Sequence, residues 1–112
     1  MAYDKKPSTW LGAGYANDAS AHTITLQTAG AASNKTLPDL TDAQANPTTG
    51  DAVNIIEAFN EALFQHYNGL GADAPAHIRI YRASQTDDAT GVVTRTYTVQ
   101  IDGAGAFTPT TG

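Results

Sequence analysis

The stretch that decides the fold runs from Gly50 to Asn68 and reads GDAVNIIEAFNEALFQHYN. Its large apolar residues recur every three or four positions, which is the period of an amphipathic helix. Asp51 in the first turn suits the positive end of the helix dipole, and Gly69 is a natural stop in the left-handed conformation. The pattern therefore predicts a helix over residues 50–68.

A helical wheel divides this segment into an apolar and a polar face. The apolar face has a centre and two flanks, formed by Ala52, Ile56, Phe59, Leu63 and Tyr67, with Val53, Ile55 and Phe64 beside them. The polar face holds Asn54, Glu57, Glu61, Gln65 and Asn68. The apolar arc covers about half the circumference, which is wider than the ~100° stripe of an ordinary surface helix. We expect a second partner on one flank, from this chain or from another copy.

Two alternating segments follow the helix and predict a β-hairpin over residues 76–102. Ile78 and Ile80 share one face of the first segment, and Val99 and Ile101 share one face of the second. The sequence TDDATG between them is rich in turn-forming residues. Matching the apolar faces places the two pairs side by side, and it leaves a threonine-rich face toward water or another protein.

The segment before the helix carries little apolar material. Residues 22–28 (HTITLQT) alternate and predict a short, half-buried strand. Residues 29–49 are rich in Ala, Gly, Ser, Asn and Thr and predict a long loop. A loop of this length is unusual in a compact domain, so we expect it to pack on something through Leu37, Pro38 and Leu40.

Together these elements predict a single α+β domain over residues 22–102. The long amphipathic helix packs on a small antiparallel sheet, made of the hairpin and the N-terminal strand. Residues 1–21 are predicted to form an irregular, extended arm, and residues 103–112 a flexible tail. The folding centre is expected to be the helix and the hairpin, because burial there contributes roughly 1.5–3 kcal/mol per large side chain.

The predicted arm and tail nevertheless contain large apolar side chains. These are Tyr3, Trp10, Leu11, Tyr15 and Phe107. Two alternatives are open for Trp10: it caps the core of its own domain, or the arm docks on a neighbouring subunit. Aromatic residues are enriched at the centres of interfaces, so the second alternative predicts that these five residues bind a partner.

Composition and charge exclude several classes of function. The net charge is −5 and the six Lys and Arg residues are scattered, so no nucleic-acid partner is predicted. The chain has no cysteine, and hence neither a disulfide framework nor a thiolate metal site. No apolar stretch approaches the ~20 residues that a membrane span requires, so no membrane partner is predicted.

No group of residues has the spacing of an active site. His22, His66 and His77 form no metal-ligand motif. Glu57 and Glu61 are four residues apart on the polar face of the helix, where a solvated surface is expected rather than acid–base chemistry. The sequence therefore predicts no catalytic residue, no metal site and no cofactor, and a protein that is not an enzyme.

The stretch from Thr36 to Asn68 (TLPDLTDAQANPTTGDAVNIIEAFNEALFQHYN) resembles small virion proteins of tailed bacteriophages. The rest of the chain shares their composition, which is acidic, free of cysteine and rich in Ala, Thr and Gly. The resemblance implies a decoration or cement protein on the capsid surface, assembled in the host cytoplasm. Its partners would be the major capsid protein and copies of itself, often as a homotrimer. No functional residue is carried over.

Two other functions remain open. One is a head–tail or tail adaptor protein of the virion, which would form rings rather than trimers. The other is a small ligand-binding α+β domain with a pocket between helix and sheet. The lack of convergent polar groups in the sequence argues against this last alternative.

Overall fold

The structure is a computed structural model, and it describes residues 5–102. Its helices are α1 (Pro7–Trp10) and α2 (Ala52–Leu70), with a 3₁₀ turn at Gly71–Asp73. Its strands are β1 (Ala16–Asp18), β2 (Thr23–Thr25), β3 (Ile78–Thr86) and β4 (Val93–Ile101). The predictions for Tyr3, Phe107 and the tail over residues 103–112 lie outside the described residues.

The α+β class is confirmed: α2 packs on the antiparallel hairpin formed by β3 and β4. The register also agrees with the sequence, since Ile78 is paired with Ile101 and Ile80 with Val99. The hairpin turn is closed where the Asp87 carboxylate accepts hydrogen bonds from the two backbone N–H groups of Ala89 and Thr90. None of the helices within residues 5–102 has the length and apolar character that crossing a membrane requires.

The N-terminal strand lies elsewhere than predicted. It spans Thr23–Thr25 and pairs with β1 in a separate two-stranded sheet, rather than joining the hairpin. The Asp18 carboxylate accepts hydrogen bonds from the N–H groups of Ser20 and Ala21, and His22 closes the turn with a φ of 60°. Pairing β2 with β1, a few residues away, closes a much shorter loop than pairing it with the distant hairpin would. The entropic cost of loop closure is therefore smaller.

Residues 5–21 do not form the extended arm that the sequence predicts. The helix α1 begins at Pro7, a residue suited to the first helical turn. The rings of Trp10 and His66 lie 4.5 Å apart, so the segment packs against α2. A Cβ atom on Gly14 would overlap the Asn34 carbonyl oxygen, which shows how closely the two backbones approach. Glycine at this position permits the contact.

The loop before α2 supplies two of the four deeply buried apolar side chains within residues 5–102, and the hairpin supplies one. Leu37 and Leu40 are 3% and 2% exposed and pack with Ala58 of α2. The predicted anchors Leu37 and Leu40 are confirmed, whereas Pro38 is exposed. The hairpin contributes one comparably buried side chain, Ile80, within the described residues. The predicted folding centre of helix and hairpin is therefore incomplete without the loop.

Backbone hydrogen bonds hold this loop in place despite its lack of regular structure. The N–H of Leu37 donates to the Gln27 carbonyl at 2.8 Å, and the N–H of Ala29 donates to the Leu40 carbonyl at 2.7 Å. The backbone N–H of Thr41 donates to the Gln44 side-chain oxygen, and the backbone N–H of Gln44 donates to the Thr41 hydroxyl oxygen, as in a helix capping box. The loop thereby satisfies its polar groups while it carries two leucines into the core.

Both ends of α2 lie close to the predicted bounds. Asp51 is the N-cap, and its carboxylate accepts a 2.9 Å hydrogen bond from the N–H of Val53. The helix ends at Leu70 instead of Asn68, because Gly71 and not Gly69 adopts the positive φ, at 54°.

Candidate functional site: an ion-pair cleft and an exposed apolar strip

An open cleft of about 310 Å³ lies between α2 and the hairpin. Its charged lining residues are Asp39 of the preceding loop and Glu57 and Glu61 of α2, together with Arg82 of β3 and Arg95 of β4. The two glutamates pair with the two arginines. Tyr97 of β4 also lines the cleft. The residues that bind one another across it are called the cleft network: Glu57, Glu61, Arg82, Arg95 and Tyr97.

Glu61 is the most fully engaged member of the cleft network. Its Oε1 accepts a 2.6 Å hydrogen bond from the Tyr97 hydroxyl. Its Oε2 accepts from Arg82 Nη1 and from Gln65 Nε2, each also at 2.6 Å. Arg82 is held in addition over the Phe64 ring, with its Cζ atom 4.6 Å from the ring centroid. The carboxylate therefore ties one helix to both strands of the hairpin.

Glu57 and Arg95 form the second ion pair. Arg95 Nε lies 2.6 Å from Glu57 Oε2, and Arg95 Nη2 lies 3.0 Å from Glu57 Oε1. This bidentate geometry fixes the orientation of both side chains. About two fifths of each side chain is exposed, so solvent screens the pair and its main effect is on geometry.

The protonation states of the cleft network suit structure rather than proton transfer. The Arg95 hydrogen bond lowers the pKa of Glu57 below its usual 4.5. Burial raises the pKa of Glu61, but hydrogen bonds from Tyr97, Gln65 and Arg82 outweigh it, and the pKa is lowered overall. Burial and the Glu61 hydrogen bond raise the pKa of Tyr97 to about 12. Near neutral pH both carboxylates are charged and the phenol is neutral, and none of the three titrates there.

The prediction of a solvated face is wrong for Glu61, whose side chain is 17% exposed, whereas Glu57 keeps about 40% of its side chain exposed while it pairs with Arg95. The hairpin register places Arg82 directly opposite Tyr97, so the face that meets the helix carries cations as well as Ile80. The sequence contains one sign of this arrangement, because Arg95 interrupts the apolar alternation of its strand. Two cations on a core-facing strand surface require anions, and the helix offers two at a spacing of four residues.

Because α2 turns its glutamates to the hairpin and its alanines to the loop, part of its predicted apolar face is left open. Val53 is 66% exposed, Ile56 is 60% exposed and Ile55 is 38% exposed. We call these three residues the apolar strip. The expectation that one sheet does not cover the helix is thus met within residues 5–102. Val53 and Ile55 were predicted on the flanks of the apolar face, and Ile56 at its centre.

The hairpin also exposes large apolar side chains. They are Tyr81, Val92, Val93, Val99 and Ile101, with exposed fractions from 42% to 67%. By contrast, residues 5–102 contain only four apolar side chains in the most buried class. Within residues 5–102, more large apolar side chains are exposed than fall in the most buried class, and exposed apolar groups of this kind mark interaction surfaces.

Three of the residues predicted to bind a partner lie in the described part of the chain, and none of the three is fully exposed. Trp10, Leu11 and Tyr15 are half-buried, and Trp10 lies on His66 of the same chain. This placement agrees with the alternative in which Trp10 caps its own domain. The apolar strip lies on α2 and shares no residue with this predicted set. The helical wheel placed the strip residues on the apolar face, but it did not show that the glutamates would face the hairpin.

The histidines and carboxylates do not assemble a metal centre in the part of the chain that the structure describes, where no cluster of three or more potential ligands occurs. Nε2 of His66 is buried and makes no hydrogen bond, and burial lowers the pKa of this ring. A neutral imidazole packed against the tilted Trp10 ring accounts for both facts.

No protein-family model, curated protein or solved structure matches this chain.

Proposed function

We propose that this chain is a structural virion protein that decorates a bacteriophage capsid and stabilises it by bridging capsid subunits. The observation that carries the proposal is the apolar strip of Val53, Ile55 and Ile56, which projects from a well-ordered helix and has no cover within residues 5–102. Large exposed apolar patches on folded domains mark protein-interaction surfaces. The phage-like sequence from Thr36 to Asn68 includes all three residues of the strip.

The energetics of the strip suit a repetitive lattice. Burying a whole aliphatic side chain contributes roughly 1.5–3 kcal/mol, and about half of each strip residue is still exposed. One strip therefore supplies a few kcal/mol, well below the ~8 kcal/mol of a micromolar complex. Binding of useful strength then requires several contacts made together, as on an ordered shell.

The rigid setting of the strip supports the same function. Asp51 caps the start of α2. The cleft network holds the helix on the hairpin, and the Leu37–Leu40 loop packs against Ala58 of the helix. A preformed apolar surface loses little side-chain and backbone entropy when a partner covers it. A bridging protein gains from that rigidity, because it transmits load between the subunits that it joins.

The alternative of a small ligand-binding domain has a cleft at the expected place, between helix and sheet. Its two glutamates and two arginines, however, are bound to one another as the Glu57–Arg95 and Glu61–Arg82 pairs. A polar ligand would have to displace these ion pairs before it gained contacts of its own. No single observation favours the adaptor alternative, and the trimer implied by the resemblance stays a prediction.

Co-sedimentation tests the proposal. Purified chain is mixed with capsid shells of the virus that encodes it, and bound protein is measured after pelleting the shells. Val53→Asp/Ile56→Asp is expected to abolish binding, because a carboxylate in the apolar contact is desolvated without a partner. Val53 lies in the first turn of α2, where an acidic residue suits the helix dipole, and Ile56 is 60% exposed, so the fold is expected to be kept.

The matched control is Ala32→Asp/Ser33→Asp, which adds the same two charges to an exposed loop. It is expected to bind like the parent chain, and thermal melting of both variants verifies that they are folded. If the parent chain does not bind shells, or if the strip variant binds as well as the control, the proposed function is wrong.

A further inference from the structure

The outer edge of β4 presents a continuous row of unused backbone groups. The N–H of Asp102 donates to the His77 carbonyl, and the N–H of Asp87 donates to the Val92 carbonyl. Bonded pairs alternate along an antiparallel ladder, so the even-numbered residues of β4 bond to β3. The odd-numbered residues point their N–H and C=O groups outward: Val93, Arg95, Tyr97, Val99 and Ile101. Among residues 5–102 these outward groups make no backbone hydrogen bond.

Strand β4 has few of the features that protect an edge. Natural edge strands are blunted by proline, charged side chains (lysine above all), bulges or short length, and Arg95 is the one charged residue of β4. Strand β4 is nine residues long, VTRTYTVQI, with neither proline nor lysine, and its register with β3 runs without a bulge. A two-stranded ribbon is also marginal by itself, so further strands stabilise it.

We propose that two copies of this chain pair through β4, antiparallel, with Tyr97 of each copy on the twofold axis. In this register every outward residue of one strand meets an outward residue of the other: Val93 meets Ile101, Arg95 meets Val99 and Tyr97 meets Tyr97. Each of these pairs exchanges two backbone hydrogen bonds. Registers shifted by two residues leave outward groups unpaired at the ends.

Side-chain chemistry supports this register. Val93 and Ile101 are 48% and 67% exposed, and the pairing places each against the other copy. Each Arg95 lies opposite a valine, four residues along the strand from its symmetry mate. Pairing through the outer edge of β3 is less favourable, because its central residue is Arg82 and full overlap sets two guanidinium groups face to face.

The pairing also closes. A contact between identical edges uses the same patch twice and ends at two copies, whereas pairing β4 with β3 of the next copy propagates. The result is a four-stranded sheet in the order β3–β4–β4–β3. Because the axis is perpendicular to the sheet, both α2 helices lie on the same side. The inference rests on β4 and is independent of the capsid proposal.

Light scattering combined with size-exclusion chromatography measures the oligomeric state of the purified chain. The expected mass is twice the 11.7 kDa of one chain. A monomer at about 100 μM, a growing polymer, or the homotrimer that the sequence resemblance implies would overturn the proposal.

Cysteine cross-linking tests the register, since the chain has no cysteine of its own. Thr96 of one copy is expected to face Thr98 of the other in a non-bonded pair, where Cα atoms are about 4.5 Å apart and a disulfide fits. A mixture of the Thr96→Cys and Thr98→Cys variants is expected to form disulfide dimers on mild oxidation, whereas neither variant does so alone. A mixture of Thr94→Cys with Thr96→Cys is the control. Equal cross-linking in the two mixtures would contradict the register.

A proline scan of the two edges provides the energetic test. Val99→Pro removes an outward N–H of β4 and is expected to raise the dimer dissociation constant roughly tenfold or more. Ser84→Pro makes the same change at an exposed outward position of β3, and it is expected to leave the dimer intact. Circular dichroism verifies folding of both. A dimer weakened equally by the two prolines would show that β4 is not the paired edge.

Discussion

Truncating two aliphatic side chains distinguishes the observed core from the one that the helical wheel predicts. Leu40 lies in an irregular loop and is 2% exposed, whereas Ile56 lies at the predicted centre of the apolar helix face and is 60% exposed. Leu40→Ala is expected to destabilise the domain strongly, and Ile56→Ala hardly at all. If the wheel alone located the core, the order would be reversed.

The magnitudes follow from burial. Leu40→Ala removes three carbon atoms that are worth about 0.8 kcal/mol each, and the cavity left beside Leu37 and Ala58 brings the total to about 2–5 kcal/mol. Small domains have unfolding free energies of roughly 5–15 kcal/mol, so this is a large share. At Ile56 the small transfer loss is offset by the higher helix propensity of alanine, and the net change stays within about 0.5 kcal/mol.

Urea unfolding followed by circular dichroism gives both free energies, with the slope m checked for constancy so that the differences reflect stability. The measurement belongs at low protein concentration, where self-association does not contribute. A loss at Ile56 equal to or larger than the loss at Leu40 would refute the placement of the core between loop and helix.

Three further predictions concern the cleft network and two glycines. The folded-state pKa values of Glu57 and Glu61 lie below 4.5, so their contribution to stability is present above pH 4.5 and is lost as the pH falls through the folded values. The urea midpoint is therefore expected to drop as the pH falls below 4.5. In the Glu57→Gln/Glu61→Gln variant the urea midpoint should depend less on pH. Tyr97 is expected to ionise near pH 12 in an ultraviolet titration, later than an ordinary tyrosine, and Tyr97→Phe should remove that step; a titration unchanged by the substitution would contradict the hydrogen bond to Glu61. Gly14→Ala should lower the melting temperature, because the new Cβ meets the backbone of Asn34. The Cβ of Gly69→Ala meets open space in α2, so this substitution should add about 0.5–1 kcal/mol to the free energy of unfolding. Equal effects of the two substitutions would argue against the close contact at Gly14.

The local elements were predictable because local chemistry decides them. The apolar period and Asp51 define α2 to within two residues at each end, and alternation with a TDDATG turn defines the hairpin and its register. Leu37 and Leu40 could be named as anchors, since they are the only large aliphatic residues in their loop. Each of these inferences needs only neighbours along the chain.

The arrangement of the elements was not predictable from the same pattern. A wheel shows which helix residues share a side, but not which side each neighbour takes. Here Arg82 and Arg95 draw Glu57 and Glu61 to the hairpin, and Ala58 permits the close approach of the Leu37–Leu40 loop. The bulky Ile56 is left outside as a consequence. The ion pairs join residues more than twenty positions apart, and only the known register would have revealed them.

The two proposed surfaces make one joint prediction about avidity. Pairing through β4 places both α2 helices on one side of the four-stranded sheet, so the two apolar strips belong to the same side of a dimer. A second contact made by an already bound dimer is effectively intramolecular and can raise affinity by roughly 10²–10⁴-fold.

Val99→Pro leaves Val53, Ile55 and Ile56 untouched but separates the copies. It is therefore expected to weaken shell binding at least about tenfold through lost avidity, without the complete loss caused by Val53→Asp/Ile56→Asp. Co-sedimentation at a series of protein concentrations measures the shift. If the monomeric proline variant bound shells as tightly as the parent dimer, the strips would be acting singly, and the pairing of β4 would serve some purpose other than capsid binding.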